Sequence, residues 1–303
     1  MRYRIIHRTI YTYSSGVSVS HHVAHLSPRK LPAQRCLAYD LATEPNASTR
    51  TSRHDYFGNE ISAFTVNGVH RSLKVIATSQ VELFPRSTPK DGPAWEDARE
   101  LLAPSTDPEQ IDAQQFIYPS QYIPKLPALV EYARDSFRPG RSLLAAVTEL
   151  SSRIHRDFKF DTRATTIATP IEQVLKNRRG VCQDFAHLHI GCVRAWGLPA
   201  RYVSGYLETI APPGKEKLVG ADASHAWVQV FIPPNGWVDF DPTNDLLPSE
   251  RHIILAWGRD FDDVSPVRGV IVGGGKHTLD VGVDVSRVID PPPFEPNPDP
   301  ETS

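Results

Sequence analysis

Two kinds of hydrophobic spacing divide the chain. Up to about residue 88, apolar and polar residues alternate in short runs, which is the period of a β-strand. The runs cover 3–13, 17–20, 38–42, 61–66 and 73–83. Turn-forming segments such as Asn67-Gly68 separate them. We therefore predict a small all-β domain over residues 1–88, built as a sandwich or an open barrel.

Beyond Gly140 the spacing becomes that of a helix. Apolar residues recur every three or four positions from Leu143 to Phe158, which predicts an amphipathic helix. The preceding residues, 89–139, are rich in proline and acids and carry short helical patterns, as in a helical connection between two domains. We assign residues 140–290 to the second domain and 291–303 to a disordered, proline-rich tail.

A cysteine lies at a predicted helix start in the second domain. Thr169-Pro170-Ile171-Glu172 has the form of a capping box and predicts a short helix to about Asn177. A second amphipathic pattern then runs from Cys182 to Trp196. Unpaired N–H groups at a helix N-terminus stabilise a thiolate, so Cys182 occupies a position suited to a nucleophile.

A predicted hairpin supplies the partners that such a nucleophile needs. Residues 224–232 alternate, 233–236 form a turn and 237–244 return. His225 lies on one face of the first strand. Asp239 and Asp241 share a face of the returning strand. Either aspartate could orient the imidazole, because the sequence does not determine strand register. A thiol, an imidazole and a carboxylate from distant segments form the nucleophile–base–orienter arrangement of covalent catalysis.

These motifs resemble a known family. The segment from Gly180 to Leu188 and the two hairpin strands resemble the core of bacterial transglutaminase-like proteins, in the papain-like cysteine-enzyme superfamily. The alternating N-terminus and residues 55–59 resemble the β-rich domain that precedes this core in one bacterial branch. The resemblance implies an α+β fold in which the cysteine-bearing helix packs on an antiparallel sheet. It also implies Cys182 as nucleophile, His225 as base and Asp241 as orienter.

The implied function is cysteine-dependent acyl transfer on amide or isopeptide bonds, with a peptide or protein as substrate and no cofactor. The backbone N–H of Cys182 is a natural oxyanion donor. Animal transglutaminases use an upstream tryptophan as a second donor, whereas this chain has Phe158 and Phe160. This departure favours hydrolysis over the cross-linking of glutamine to amines. A catalytically inactive binding module of the same fold is a further alternative.

Histidines offer a rival interpretation as metal ligands. His187 and His189 follow Cys182 closely, and His21, His22 and His25 form a second group. A site formed by Cys182, His189 and His225 would need a further ligand and lacks the pairs of closely spaced ligands that are typical of zinc sites. The group at His21, His22 and His25 has no accompanying cysteine or carboxylate cluster. We therefore predict buried or surface histidines without a metal.

Composition narrows the partners and the compartment. A net charge of −2 gives no reason to expect binding to nucleic acid or an anionic membrane. Three cysteines, a small and odd number, favour a reducing compartment over a disulfide framework. No apolar run is long enough for a transmembrane helix, and the N-terminus has no apolar signal region. We expect a cytoplasmic protein, and the sequence leaves its oligomeric state open.

Overall fold

A computed structural model describes residues 1–103, 105–209 and 224–288. The predicted tail at 291–303 lies outside these ranges. The helices are α1 (Trp95–Leu102), α2 (Pro108–Gln114), α3 (Pro127–Ala133), α4 (Leu143–Asp157), α5 (Ile171–Asn177), α6 (Cys182–Ala195) and α7 (Phe261–Val264). The strands are β1 (Arg2–Ala24), β2 (Gln34–Glu44), β3 (Thr49–His54), β4 (Glu60–Leu83), β5 (Lys159–Phe160), β6 (Arg179–Gly180), β7 (Ala200–Leu207), β8 (Ser224–Ile232), β9 (Gly236–Phe240), β10 (His252–Gly258), β11 (Val267–Gly273) and β12 (His277–Arg287).

The N-terminal strands form one antiparallel sheet. Its order is β11-β1-β4-β2, with β12 also paired to β1 and β3 also paired to β4. Strands β1 and β4 are 23 and 24 residues long, because the alternating runs that the sequence separates continue through register shifts between Thr12 and Val19. The predicted β-rich unit is therefore present, but as a single six-stranded sheet rather than a sandwich or barrel.

The last two strands return to this first sheet. Strand β11 pairs with the second half of β1, and β12 pairs with the first half, from Tyr3 to Tyr13. The glycines at 273–275, all with positive φ, form the loop between them. Residues 267–287, which the sequence analysis groups with the second domain, thus complete the sheet of the first.

A second antiparallel sheet, in the order β10-β7-β8-β9, carries the helical half of the fold. Helix α6 packs on one of its faces, where Ala186 and Ile190 share a core with Val228 and Val230. Helix α4 buries its predicted apolar face in the same core. Alternation on the strand and helical spacing on α6 thus place two apolar faces together. The predicted α+β fold, with a cysteine-bearing helix on an antiparallel sheet, is confirmed.

Helix α5 begins differently from the prediction. Its N-cap is Pro170, with no side-chain cap, so the predicted capping box is wrong. The Thr169 hydroxyl instead accepts a hydrogen bond from the backbone N–H of Thr166, at 2.9 Å. The helix ends at Asn177 as predicted, and Arg178 follows in the left-handed conformation.

The two sheets share a core and buried hydrogen bonds. Tyr206 from β7 and Ile253 from β10 pack among the core residues of the first sheet. The Gln34 side-chain amide bonds to both the N–H and the carbonyl of Ile254, at 2.8 and 2.7 Å. Asn59 does the same for Trp257, at 3.0 and 2.8 Å. Side chains from the first unit therefore hydrogen-bond to backbone groups on the outer edge of β10. Without these bonds, the backbone of this edge strand would lack partners.

Within the described ranges, no helix has the length and apolar character needed to cross a membrane.

Candidate active site

Cys182 is the first residue of α6, and a buried carboxylate fixes this helix start. Asp184 accepts hydrogen bonds from the Val181 backbone N–H at 2.8 Å and from the Thr165 hydroxyl at 2.7 Å. Burial raises the pKa of Asp184, while these two bonds oppose the rise. The side chain lies in the first turn, where a carboxylate offsets the unpaired N–H groups. Asp184 thus has a structural role at the start of the helix that carries Cys182.

The segment before Cys182 is held equally closely. Strands β5 and β6 pair in parallel for two residues, which places Phe160 opposite Gly180. A Cβ atom at Gly180 would lie 2.6 Å from the Asp184 carboxylate oxygen Oδ2. Only glycine therefore leaves room for the carboxylate that caps α6.

His225, near the start of β8, lies between the thiol and a carboxylate. Its Nε2 is 2.8 Å from Oδ2 of Asp241, and its ring also hydrogen-bonds to the Cys182 side chain. Because Nε2 is engaged by Asp241, Nδ1 is the nitrogen left for the thiol. Burial opposes charge on the ring, but the bonds to Asp241 and Cys182 outweigh it and raise the pKa of His225 to about 10. The arrangement favours an imidazolium.

Asp241 follows β9 directly and is fully buried. Its Oδ1 accepts the backbone N–H groups of Thr243 and Asn244, at 3.0 and 3.2 Å. Its Oδ2 accepts from the Asn244 amide at 2.7 Å, from His225, and from His252 at 3.1 Å. Burial alone would raise the pKa of Asp241, but the bonds from His225 and His252 lower it well below its usual value. The carboxylate is therefore ionised and fixed in orientation.

The second candidate orienter, Asp239, bonds to other groups. Its carboxylate accepts from the indole N–H of Trp227 at 2.7 Å, from Gln229 at 3.0 Å and from Arg86 at 2.5 Å. The Trp227 ring in turn stacks on the His225 ring, with centroids 6.0 Å apart. Asp239 thus supports the wall behind the imidazole, whereas the bond to the imidazole itself comes from Asp241.

The aromatic residues around the site are mostly enclosed. Trp227 has no exposed surface. Trp237 packs against Phe231 and lies 3.9 Å from the Arg201 guanidinium, away from His225. Phe160 is half exposed, at 51%, but has no polar hydrogen to donate. As the first residue of α6, Cys182 has a backbone N–H with no intrahelical acceptor.

Two residues of this site are not singled out by the sequence. Asn244 belongs to an Asp-Pro-Thr-Asn segment, where aspartate commonly accepts backbone N–H groups two and three residues ahead, so turn chemistry could have indicated it. His252 comes from β10 and is 1% exposed. Its sequence neighbours carry no signal of a site.

The histidines considered as metal ligands lie apart. His187 accepts a hydrogen bond from the Phe261 N–H at 3.2 Å and stacks on Tyr122. His189 packs edge-on against Phe240. Burial lowers the pKa of both histidines to about 3, so both are neutral.

Within the described ranges, one cluster has its ligand atoms close enough for a metal ion: His225, Asp241 and His252, within 4.8 Å of one another. Neither Cys182 with His189 and His225 nor His21 with His22 and His25 forms such a cluster there. In the cluster of His225, Asp241 and His252, direct hydrogen bonds already join the atoms that would bind a metal ion.

Two family models match the chain, one in each of its two parts. Residues 3–82 match the bacterial transglutaminase-like N-terminal region, and residues 130–242 match the transglutaminase-like superfamily. The chain belongs to the bacterial transglutaminase-like proteins, as its motifs predict.

Two of the similar proteins cover the chain almost from end to end, and a third covers less than half of it. An uncharacterized protein of Mycobacterium tuberculosis is 42% identical over 294 residues, which are 94% of this chain and 92% of that protein. A "putative cysteine protease" of Cytophaga hutchinsonii shares the fold, with a TM-score of 0.76, 21% identity and coverage of 98% and 93%. A protein-glutamine gamma-glutamyltransferase of Pseudomonas aeruginosa is 31% identical over 128 residues, which are 41% of this chain and 19% of that protein.

Proposed function

We propose that this protein is a cysteine-dependent acyl-transfer enzyme that hydrolyses amide or isopeptide bonds in peptides or proteins. Cys182 is the nucleophile, His225 the general base and Asp241 the residue that orients His225. One observation carries the proposal: a continuous line of hydrogen bonds joins the thiol at a helix start, a buried imidazole and a buried carboxylate. Membership of the transglutaminase-like superfamily supports the same chemistry.

The reaction proceeds in two balanced halves. The Cys182 thiol passes its proton to His225, and the thiolate attacks the amide carbonyl while the oxyanion accepts the Cys182 N–H. The C–N bond breaks, the amine leaves with the proton from His225, and a thioester remains. A water molecule then gives a proton to His225 and attacks the thioester. Cys182 leaves as a thiolate and recovers that proton, and the free acid is released.

Transfer of the acyl group to an amine is the second candidate, and the similarity to a protein-glutamine gamma-glutamyltransferase favours it. A transferase must hold its amine and exclude water from the thioester. Neither tryptophan of the hairpin supplies an open wall for this purpose, since Trp227 is fully buried and Trp237 packs against Phe231. We therefore favour water as the acceptor.

Partitioning of the thioester tests the proposal. The enzyme is incubated with glutamine-amide, peptide and isopeptide donors at rising concentrations of a primary amine. Release of free acid almost independent of amine supports a hydrolase. Amide formation at low millimolar amine, against water at about 55 M, indicates an amine site and a transferase.

Two controls separate the remaining classes. Cys182→Ala should abolish turnover and leave folding intact, whereas unchanged turnover would overturn the assignment. If wild-type protein forms no thioester with any donor, the chain is an inactive binding module. We also propose that no metal is needed, so activity should survive a chelator; loss with a chelator and recovery with one specific ion would contradict this.

We further propose a reducing, cytoplasmic setting. All three cysteines are free, and the proposed chemistry requires Cys182 as a thiol. Fractionation of cells that express the full chain would test this location.

A further inference from the structure

We propose that His252 is a positioning residue: as a neutral hydrogen-bond donor, it holds Asp241 in the orientation in which Asp241 pairs with His225. This inference rests on the proposed function and extends the site by one residue.

His252 reaches the site from a separate part of the fold. Strand β10 pairs with β7 and lies at the edge of the sheet opposite β9, which leads into Asp241. Even so, the His252 Nε2 lies 3.1 Å from Oδ2 of Asp241. Its ring also packs edge-on against Trp227, with centroids 5.3 Å apart. Trp227 therefore contacts both histidines that bond to the carboxylate.

The proton on His252 can be assigned from its surroundings. An ionised carboxylate only accepts hydrogen bonds, so the nitrogen that faces Asp241 carries a proton. The other nitrogen, Nδ1, is buried and has no partner among the described residues. An uncharged ring with Nε2–H fits both sides. Burial lowers the pKa of His252, which also favours the uncharged ring.

Charge is the reason that a neutral donor matters here. If His252 were an imidazolium, it would compete with His225 for the same carboxylate oxygen, and repulsion between the rings would follow. A neutral His252 restrains Oδ2 and leaves the negative charge of Asp241 to the His225 imidazolium. With His252 neutral, the site holds a single ion pair, between His225 and Asp241, and His252 adds one uncharged hydrogen-bond donor to it.

The other restraints on Asp241 are local. Thr243 and Asn244 belong to the turn that follows Asp241, and they move with it. His252 lies 11 residues away on a paired strand, so it ties this turn to the rest of the sheet. The pairing of β8 with β9 brings Asp241 near His225, and the bond from His252 adds a restraint from outside the hairpin.

The test measures the alkylation rate of Cys182 by iodoacetamide, which needs no known substrate. His252→Phe keeps a ring but removes the donor, and we expect alkylation at pH 6 to slow by about tenfold, the effect of losing one bond to a charged group. His252→Gln places an amide N–H near the position of Nε2 and should restore the rate to within about threefold of wild type.

A double-mutant cycle separates positioning from packing. In an Asp241→Ala background His252 has no carboxylate to hold, so His252→Phe should slow alkylation no further. Equal slowing in both backgrounds, or His252→Gln as slow as His252→Phe while both are folded by circular dichroism, would overturn the proposal. If Asp241→Ala does not fold, the comparison of Gln with Phe decides alone.

A matched control uses another buried histidine. His7 is 1% exposed and bonds to Tyr206 and Thr9. His7→Phe should leave the alkylation rate unchanged, whatever its effect on stability. The proposed function can fail independently. If His252→Phe slows alkylation but no donor forms a thioester, the enzyme assignment is wrong and the role of His252 stands. If acyl transfer is unaffected by His252→Phe, the enzyme assignment stands and the role of His252 is wrong.

Discussion

The three cysteines lie in three environments that predict different reactivities. Cys36 and Cys192 are held as thiols, because burial raises the pKa of Cys36 to about 11 and the pKa of Cys192 still further. Cys182 is partly exposed, at a helix start, and bonds to His225. We expect iodoacetamide to label Cys182 first below pH 7, as peptide mapping by mass spectrometry would show. Equal labelling of all three cysteines in folded protein would contradict this.

The two aspartates of the hairpin should differ sharply when each is changed to asparagine. Asp241→Asn removes the countercharge of the imidazolium and should cut turnover by about 10⁴-fold, the size of effect seen for an orienting aspartate in a related arrangement. Asp239→Asn alters the support of Trp227, so its effect should be far smaller. Steady-state kinetics on both variants tests the assignment. A damaging Asp239→Asn with a mild Asp241→Asn would reverse the two roles.

The raised pKa of His225 makes stability depend on pH. A group that binds its proton more tightly in the folded state stabilises the fold below its unfolded pKa, about 6.5 for histidine. That stabilisation is lost as pH rises through the folded value of about 10. The free energy of unfolding in urea should therefore fall between about pH 6.5 and 10. His225→Gln should show a flatter profile over the same window; identical slopes would rule out this contribution.

At the scale of elements, the start of α6 determines where the thiol lies. The helix begins where Asp184 can accept the Val181 N–H, and the parallel pairing of Phe160 with Gly180 holds the segment just before it. Neither feature bonds to Cys182 itself. Both set its direction by fixing the backbone on its N-terminal side.

Gly180→Ala tests this element directly. The new Cβ would lie 2.6 Å from Asp184, so the carboxylate must move and release the helix start. We expect a loss of about 1–2 kcal/mol in the free energy of unfolding, typical of a lost cap, together with slower alkylation of Cys182. Gly140→Ala is the control, because among the described residues, apart from its chain neighbours, no atom lies within 4 Å of its Cβ position. It should cost backbone strain only and leave alkylation unchanged; equal slowing in both variants would contradict the account.

At the scale of the whole molecule, the N-terminal unit forms part of the same fold as the core. The first sheet receives its last strands from the C-terminal end of the described chain, and its side chains bond to the edge of β10. Because β10 also carries His252, these bonds hold the strand from which His252 contacts Asp241.

Gln34→Ala tests this dependence. Gln34 is 1% exposed, and its removal leaves the N–H and the carbonyl of Ile254 without their side-chain partner. We expect a loss of about 2–3 kcal/mol in the free energy of unfolding. We also expect both units to unfold together in a single transition. The exposed helical Gln173→Ala should change stability by less than about 0.5 kcal/mol. Two separate transitions in urea would show that the units fold independently.

Local spacing was sufficient for several features. Helical periodicity placed the start of α6 at Cys182, and alternation placed His225 on β8, because both patterns depend only on neighbouring residues. The motif order also indicated the family. The site's chemical types were therefore visible in the chain before any fold was known.

Only the tertiary structure decided which groups meet. Spacing alone left Asp239 and Asp241 equivalent, since both lie on one face of a strand whose register depends on its neighbours, and only the family resemblance favoured Asp241. The structure shows Asp241 bonded to His225 and Asp239 bonded to Trp227. His252 carried no local signal, because its contact spans separate strands. Long-range contacts of this kind arise from packing between elements, and local periodicity does not encode them.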